Sequence, residues 1–124
     1  MKRIMIPVIA LACLFAAPCV RADDPVKVDA KHYKVEFEND AVRILRINYG
    51  PGEKSVMHSH PDGVVIYLTD AETTMTFPDG KVVVNGGKAG SVQVAPGGPH
   101  LPQNTGSKAM ELILVEFKTK PAAK

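Results

Sequence analysis

The chain has 124 residues, with 15 Lys+Arg against 13 Asp+Glu, four histidines and two cysteines. That length holds one domain, and a nearly balanced charge without clusters of interleaved basic and aromatic residues argues against nucleic acid as a partner. Both cysteines, Cys13 and Cys19, lie in the first 22 residues, so beyond that point neither a disulfide framework nor thiolate chemistry is available.

Residues 1–22 read as a secretory signal peptide. Met1–Lys2–Arg3 is a basic tip, Ile4 to Ala17 is almost wholly apolar, and Val20–Arg21–Ala22 ends on a small residue before Asp23. The apolar run falls short of the roughly 20 residues that cross a bilayer, and Ala10–Leu11–Ala12 is a poor lipoprotein signal for acylating Cys13. Cleavage after Ala22 predicts a periplasmic or secreted protein with no membrane attachment. It removes Lys2, Arg3 and Arg21 but no acid, which leaves the remainder slightly negative.

Residues 23–32 are polar and read as an extended N-terminal arm, with His32 at the surface. From Tyr33, apolar residues alternate with charged ones through Glu38, the period of a half-buried strand. Val42 to Tyr49 has apolar residues on both faces and must lie between layers or carry a bulge. Val64 to Leu68 is a continuous apolar run, and Thr73–Phe77 and Lys81–Val84 flank Pro78–Asp79–Gly80 as a hairpin. Ser91–Ala95, the stretch from His100, and Ala109–Lys118 complete the strands; residues 119–124 read as a flexible tail. No stretch past residue 22 shows a helical apolar period. The expected fold is therefore all-β, an antiparallel sandwich or barrel over residues 33–118.

Two stretches carry the chemistry. His58 and His60 stand two apart, so on a strand their side chains share one face. His100 emerges from the Pro/Gly-rich turn Pro96–Pro99. Three converging neutral imidazoles form a site for one divalent transition metal ion with open positions, and zinc, copper, iron, manganese and nickel all suit it. Isolated histidines would need no such role; it is their grouping that argues for one.

These stretches resemble the two motifs of the cupins, small jelly-roll β-barrels. Gly52, five residues, His58, Ser59 and His60 match the front of the first motif. Gly90, five residues, Pro96, Gly97, Gly98, Pro99, His100, three residues and Asn104 match the second, one residue short between glycine and histidine. The resemblance implies a cupin-like antiparallel barrel in a single domain, and it implies that His58, His60 and His100 are metal ligands. The family's metal-binding glutamate would fall at Val64 or Val65, and the glycine that ends the first motif is missing near Ala71. The acid ligand is thus not implied here.

Around these ligands, Asn104 or Gln103 is a candidate hydrogen-bond partner for an imidazole, or a turn residue. Gln93, Thr74 and Thr76 either line a cavity or face solvent, and Tyr67 could reach that cavity. Met57 points away from the ligands, and Glu53, Asp62 and Glu72 read as solvated loop charges. No acid or base is fixed by motif, so no catalytic residue is assigned. Three functions are open: a metal-dependent dioxygenase or isomerase acting on a small molecule; a non-catalytic module that binds a metal or small ligand for sensing, storage or delivery; and a metal-free structural partner. A small barrel without disulfides would gain stability as a homodimer.

Overall fold

The computed structural model describes residues 23–118; the expected signal peptide and the 119–124 tail lie outside the described residues. Nine strands follow one helical turn: α1 (Pro25–Val28), β1 (Tyr33–Glu38), β2 (Val42–Tyr49), β3 (His58–His60), β4 (Gly63–Tyr67), β5 (Ala71–Thr76), β6 (Val82–Gly87), β7 (Val92–Ala95), β8 (Gly98–Asn104) and β9 (Met110–Phe117). They form two antiparallel sheets, β1-β2-β9-β4-β7 and β3-β8-β5-β6. This is a jelly roll of two facing sheets rather than one continuously paired barrel.

The larger sheet shows why the fold closes where it does. Along β9 buried residues alternate with half-buried ones, so Met110, Leu112, Leu114 and Glu116 share the inner face. Opposite them on β2 stand Tyr49, Ile47, Leu45 and Arg43 in register. The apolar pairs form the core with Tyr33 and Tyr67, and the fourth pair places Arg43 against Glu116 at the end of the same face. Cross-strand neighbours of this kind are the contacts that stabilise a sheet.

Two expectations are corrected here. Strand β1 does not keep its alternation: a bulge between Val35 and Phe37 puts Phe37 opposite Ile44, on the outer face, and Phe37 is 51% exposed. An extra residue in one strand reverses which side chains face in, and Tyr33 is the buried residue of this strand. The 23–32 segment is not an extended arm. Asp24 caps a short helical turn by accepting from the Val26 amide, and Pro25 and His32 are buried beneath it. His32, expected at the surface, stacks on Tyr49 with centroids 4.2 Å apart and bonds Asp29 and Glu53 through its two ring nitrogens.

The glycines that open both motifs, Gly52 and Gly90, have φ values of +74° and +82°. Side chains rarely adopt that conformation, and the turns these glycines occupy, between β2 and β3 and between β6 and β7, depend on it.

Candidate metal centre

Strand β3 contributes His58 and His60 from one face, and the β3–β8 ladder sets His100 directly opposite His58. One nitrogen from each ring lies within 4.8 Å of the others. The rings meet edge to face, at 87° and 88° for the pairs with His58 and 71° for His60 with His100, with centroids 4.8 to 5.3 Å apart. His58 and His60 are buried and His100 is half-buried.

Hydrogen bonding at the outer nitrogens sets the tautomers. His58 Nδ1 donates to the Val56 carbonyl at 2.9 Å; it also faces Ser55 Oγ, whose own hydrogen goes to Asp29 Oδ2 at 2.5 Å. His60 Nδ1 donates to Glu116 Oε1 at 2.6 Å. A carbonyl and a carboxylate can only accept, so each Nδ1 carries the proton and each neutral ring presents a bare Nε2. Those two Nε2 atoms lie 3.0 Å apart. Two acceptors cannot hydrogen-bond to each other, and a shared cation removes the conflict. The donor set therefore fits a metal ion on chemical grounds.

Electrostatics favour the neutral ring at His58 and His100. Burial, with a further contribution from the neighbouring His60, lowers the His58 pKa to about 4. Burial and the other two rings lower that of His100 to about 3. Imidazole must be neutral to bind a metal, so two rings held unprotonated near neutral pH suit the task. Burial pushes the Glu116 carboxyl up, but its bonds from His60 and Arg43 outweigh this and hold it below its ordinary value. Arg43 Nε meets Glu116 Oε2 at 2.6 Å and its other arm holds Asp24. The His60 imidazole is thus oriented by an acid that is itself fixed, the arrangement that tunes metal-bound histidines.

A cavity of about 380 Å³ opens from His60 and His100 between the sheets. Its walls are largely apolar, with Val65, Met75, Phe77, Leu112 and Leu114 among them. Val65 faces Leu114 on β9, so one of the two positions where the resemblance would have placed a glutamate is part of an oily wall.

Other expected residues divide. Tyr67 and Gln93 line the cavity, where Tyr67 donates to Gln93 Oε1 at 3.3 Å and Gln93 Nε2 donates to the Gly86 carbonyl. Thr73 and Met75 line it from β5, rather than Thr74 and Thr76. Asn104 does not reach the imidazoles. Its amide nitrogen bonds the carbonyls of Tyr49, Gly50 and Lys108, and its oxygen accepts from the Gly106 amide; it is the turn residue of the two alternatives. Glu53 is no free loop charge, since Lys31, the Gly50 amide and His32 draw its pKa down to about 2.

Sequence reasoning missed Glu116, Arg43, Ser55, Asp29 and Tyr33. For Glu116 a signal existed, because an acid on the inner face of Met110–Leu112–Leu114 breaks an otherwise apolar series. Ser55 and Asp29 gave none, since their role depends on where the helical turn packs.

The sequence matches the family model described as a cupin domain over residues 45–116, more than half the chain. Among solved structures, a cupin domain from Bordetella pertussis Tohama I superposes with a TM-score of 0.65 at 24% identity, covering 70% of this chain and 92% of that one. A double-stranded β-helix protein from Klebsiella pneumoniae gives 0.55 at 22% identity, covering 71% and 76%. An RmlC-like cupin family protein from Methanocaldococcus jannaschii gives 0.53 at 25%, covering 72% and 83%. No curated protein matches the sequence. The matched region holds both histidine stretches and six whole strands of the jelly roll, β3 to β8, and on that footing the chain belongs to the cupin family.

Proposed function

We propose that His58, His60 and His100 together hold one divalent transition metal ion, and that the protein uses it to bind a small molecule in the adjoining cavity. The observation that carries this reading is the 3.0 Å approach of two bare Nε2 atoms. Bound there, an ion would supply Lewis acidity and a fixed point for an oxygen-bearing ligand. The chain's own residues do the rest: Glu116 and Val56 hold the rings in the binding tautomer, and the apolar wall of Val65, Leu112 and Leu114 excludes water from a ligand's body. With no carboxylate among the three ligands, the site carries more positive charge than one completed by glutamate, and it favours anionic or enolate-like groups.

A metal-dependent dioxygenase or isomerase is the enzymatic form of this proposal. The cavity supports it, being of the size and apolar character of small-molecule sites. A binding module for sensing, storage or delivery is the second form. It is favoured by a cavity lining that holds no carboxylate among the described residues, and by the commitment of the nearby Glu116 to His60 and Arg43. Export to the periplasm or beyond remains part of the proposal, on the strength of residues 1–22. So does a homodimer, supported by Val84 and Val94, 82% and 80% exposed on the outermost strands β6 and β7.

The test is metal content after chelation, reloading and dialysis. Wild type is expected to retain one equivalent, and a protein carrying His58→Ala, His60→Ala and His100→Ala none. Retention of one equivalent by the triple variant would overturn the assignment.

A further inference from the structure

Three imidazoles do not account for everything aimed at this point. Tyr33 is 3% exposed and lines the same cavity. Its hydroxyl accepts from Tyr49 at 2.8 Å, so its own hydrogen is directed to His58 Nε2 at 3.1 Å. That nitrogen is the one whose lone pair the metal would take. Any ion that binds His58 therefore displaces the hydrogen bond Tyr33 makes, and leaves a phenol oxygen beside the ion.

The spacing is informative. Tyr33 Oη, His58 Nε2 and His60 Nε2 form a series separated by 3.1 and 3.0 Å. Two donor atoms that are each about 2.0–2.1 Å from a common ion lie roughly 2.9–3.4 Å apart at angles from 90° to tetrahedral. Tyr33 Oη thus lies about as far from His58 Nε2 as His60 Nε2 does. Charge points the same way. Val65 leaves the inner wall without an acid, and both oxygens of Glu116 are engaged away from the imidazole Nε2 atoms. A divalent ion on three neutral rings in an apolar cavity lacks a neutralising partner, and burying such a charge is costly unless one is present.

We propose that Tyr33 is a fourth protein ligand to the ion, binding through its phenolate oxygen. The proposal rests on the three-histidine reading above. On binding, the Tyr33 O–H bond breaks, the proton leaves to solvent, and an oxygen–metal bond forms with no change in oxidation state. Tyr49 then donates its hydrogen bond to the phenolate and holds it in place. Before binding, the same phenol caps the lone pair of His58. The ligand set becomes three imidazoles and one hard anionic oxygen, which shifts preference toward harder ions such as iron.

The test is spectroscopic. Metal-free protein is titrated with zinc, and separately with ferric iron, while absorption is recorded. Each ion that loads is expected to bring the ultraviolet difference spectrum of one ionised tyrosine, and ferric iron a visible tyrosinate-to-iron charge-transfer band as well. Ring-deuterated tyrosine should shift the resonance Raman lines excited in that band. Tyr33→Phe should lose the tyrosinate signals and still retain one zinc on its histidines. Wild type that loads one equivalent of zinc without a tyrosinate signal overturns the proposal, whatever the variant does. Signals that persist in Tyr33→Phe also overturn it. Failure of wild type to load any ion would instead remove the three-histidine reading beneath it, and Tyr33 with it.

Discussion

Strand β8 carries two polar side chains four residues apart, the half-buried His100 and the buried Asn104, and their surroundings differ in kind. At Asn104 the accounting closes: the two N–H groups of the amide are given to the Gly50 and Lys108 carbonyls, with the Tyr49 carbonyl sharing one at 3.4 Å, and its oxygen receives a bond from a backbone amide. At the histidine end it does not, because Tyr33 gives its hydrogen to His58 Nε2 and leaves His60 Nε2 facing that acceptor nitrogen at 3.0 Å. Buried polar groups that are fully satisfied hold a fold together, whereas a conflict left in place marks a position where something else is meant to bind. The second cupin motif thus joins two roles on one strand, one structural and one chemical.

The comparison breaks most readily at its structural end. Asn104→Ala would remove side-chain bonds from three carbonyls and one amide at the turns after β2 and β8, of which the Gly50 carbonyl keeps a bond from the Glu53 amide. It is expected to cost about 3 kcal/mol or more in denaturant unfolding of the metal-free protein, while the folded fraction still loads one equivalent of metal. Loss of metal binding with stability intact would reverse the two assignments.

At the chemical end, Glu116→Gln keeps shape but removes the charge that orients His60. Metal affinity should fall about 10- to 100-fold, as it does when such supporting acids are changed, measured by competition with a chromophoric chelator. An unchanged affinity would mean that the His60–Glu116 bond serves packing alone.

A pH series sharpens the contrast. The His58 and His100 pKa values, at about 4 and about 3, lie below the ordinary value of 6.5. The unfolded chain therefore binds protons that the folded one refuses. The stability tied to these neutral rings is complete above about pH 6.5 and is lost as pH falls toward 4 and 3. Urea midpoints of metal-free protein should drop between pH 7 and pH 4.5, and less so in a His58→Ala, His100→Ala double variant. An equal drop in both would place the titrating groups elsewhere.

The smallest effect is expected far from both ends. Val84→Lys and Val94→Lys, on exposed outer strands, should change unfolding free energy by no more than about 0.5 kcal/mol and leave metal content unaltered. If the chain pairs through these strands, the same changes shift its sedimentation from dimer to monomer; a dimer that persists excludes this surface.

Much of this division was legible in the chain. Alternation gave β9 and turn residues the β5–β6 hairpin; the spacing of His58 and His60 fixed their common face. What could not be read depended on contacts between segments distant in sequence. The β1 bulge reverses Phe37 without any glycine or proline to announce it. His32 is buried because residues 23–32 fold back over Tyr49, and nothing local in a polar stretch signals that packing. Asn104 sat on a family motif, yet its four backbone bonds depend on turns after β2 and β8 that only the closed structure brings together.

The central claim is that three imidazoles meet at one ion, and X-ray absorption at the metal edge of zinc-loaded wild type tests it most directly. The account predicts a first shell of nitrogen and oxygen at about 2.0–2.1 Å with the outer-shell scattering of three imidazole rings. A first shell with one imidazole or none would contradict it.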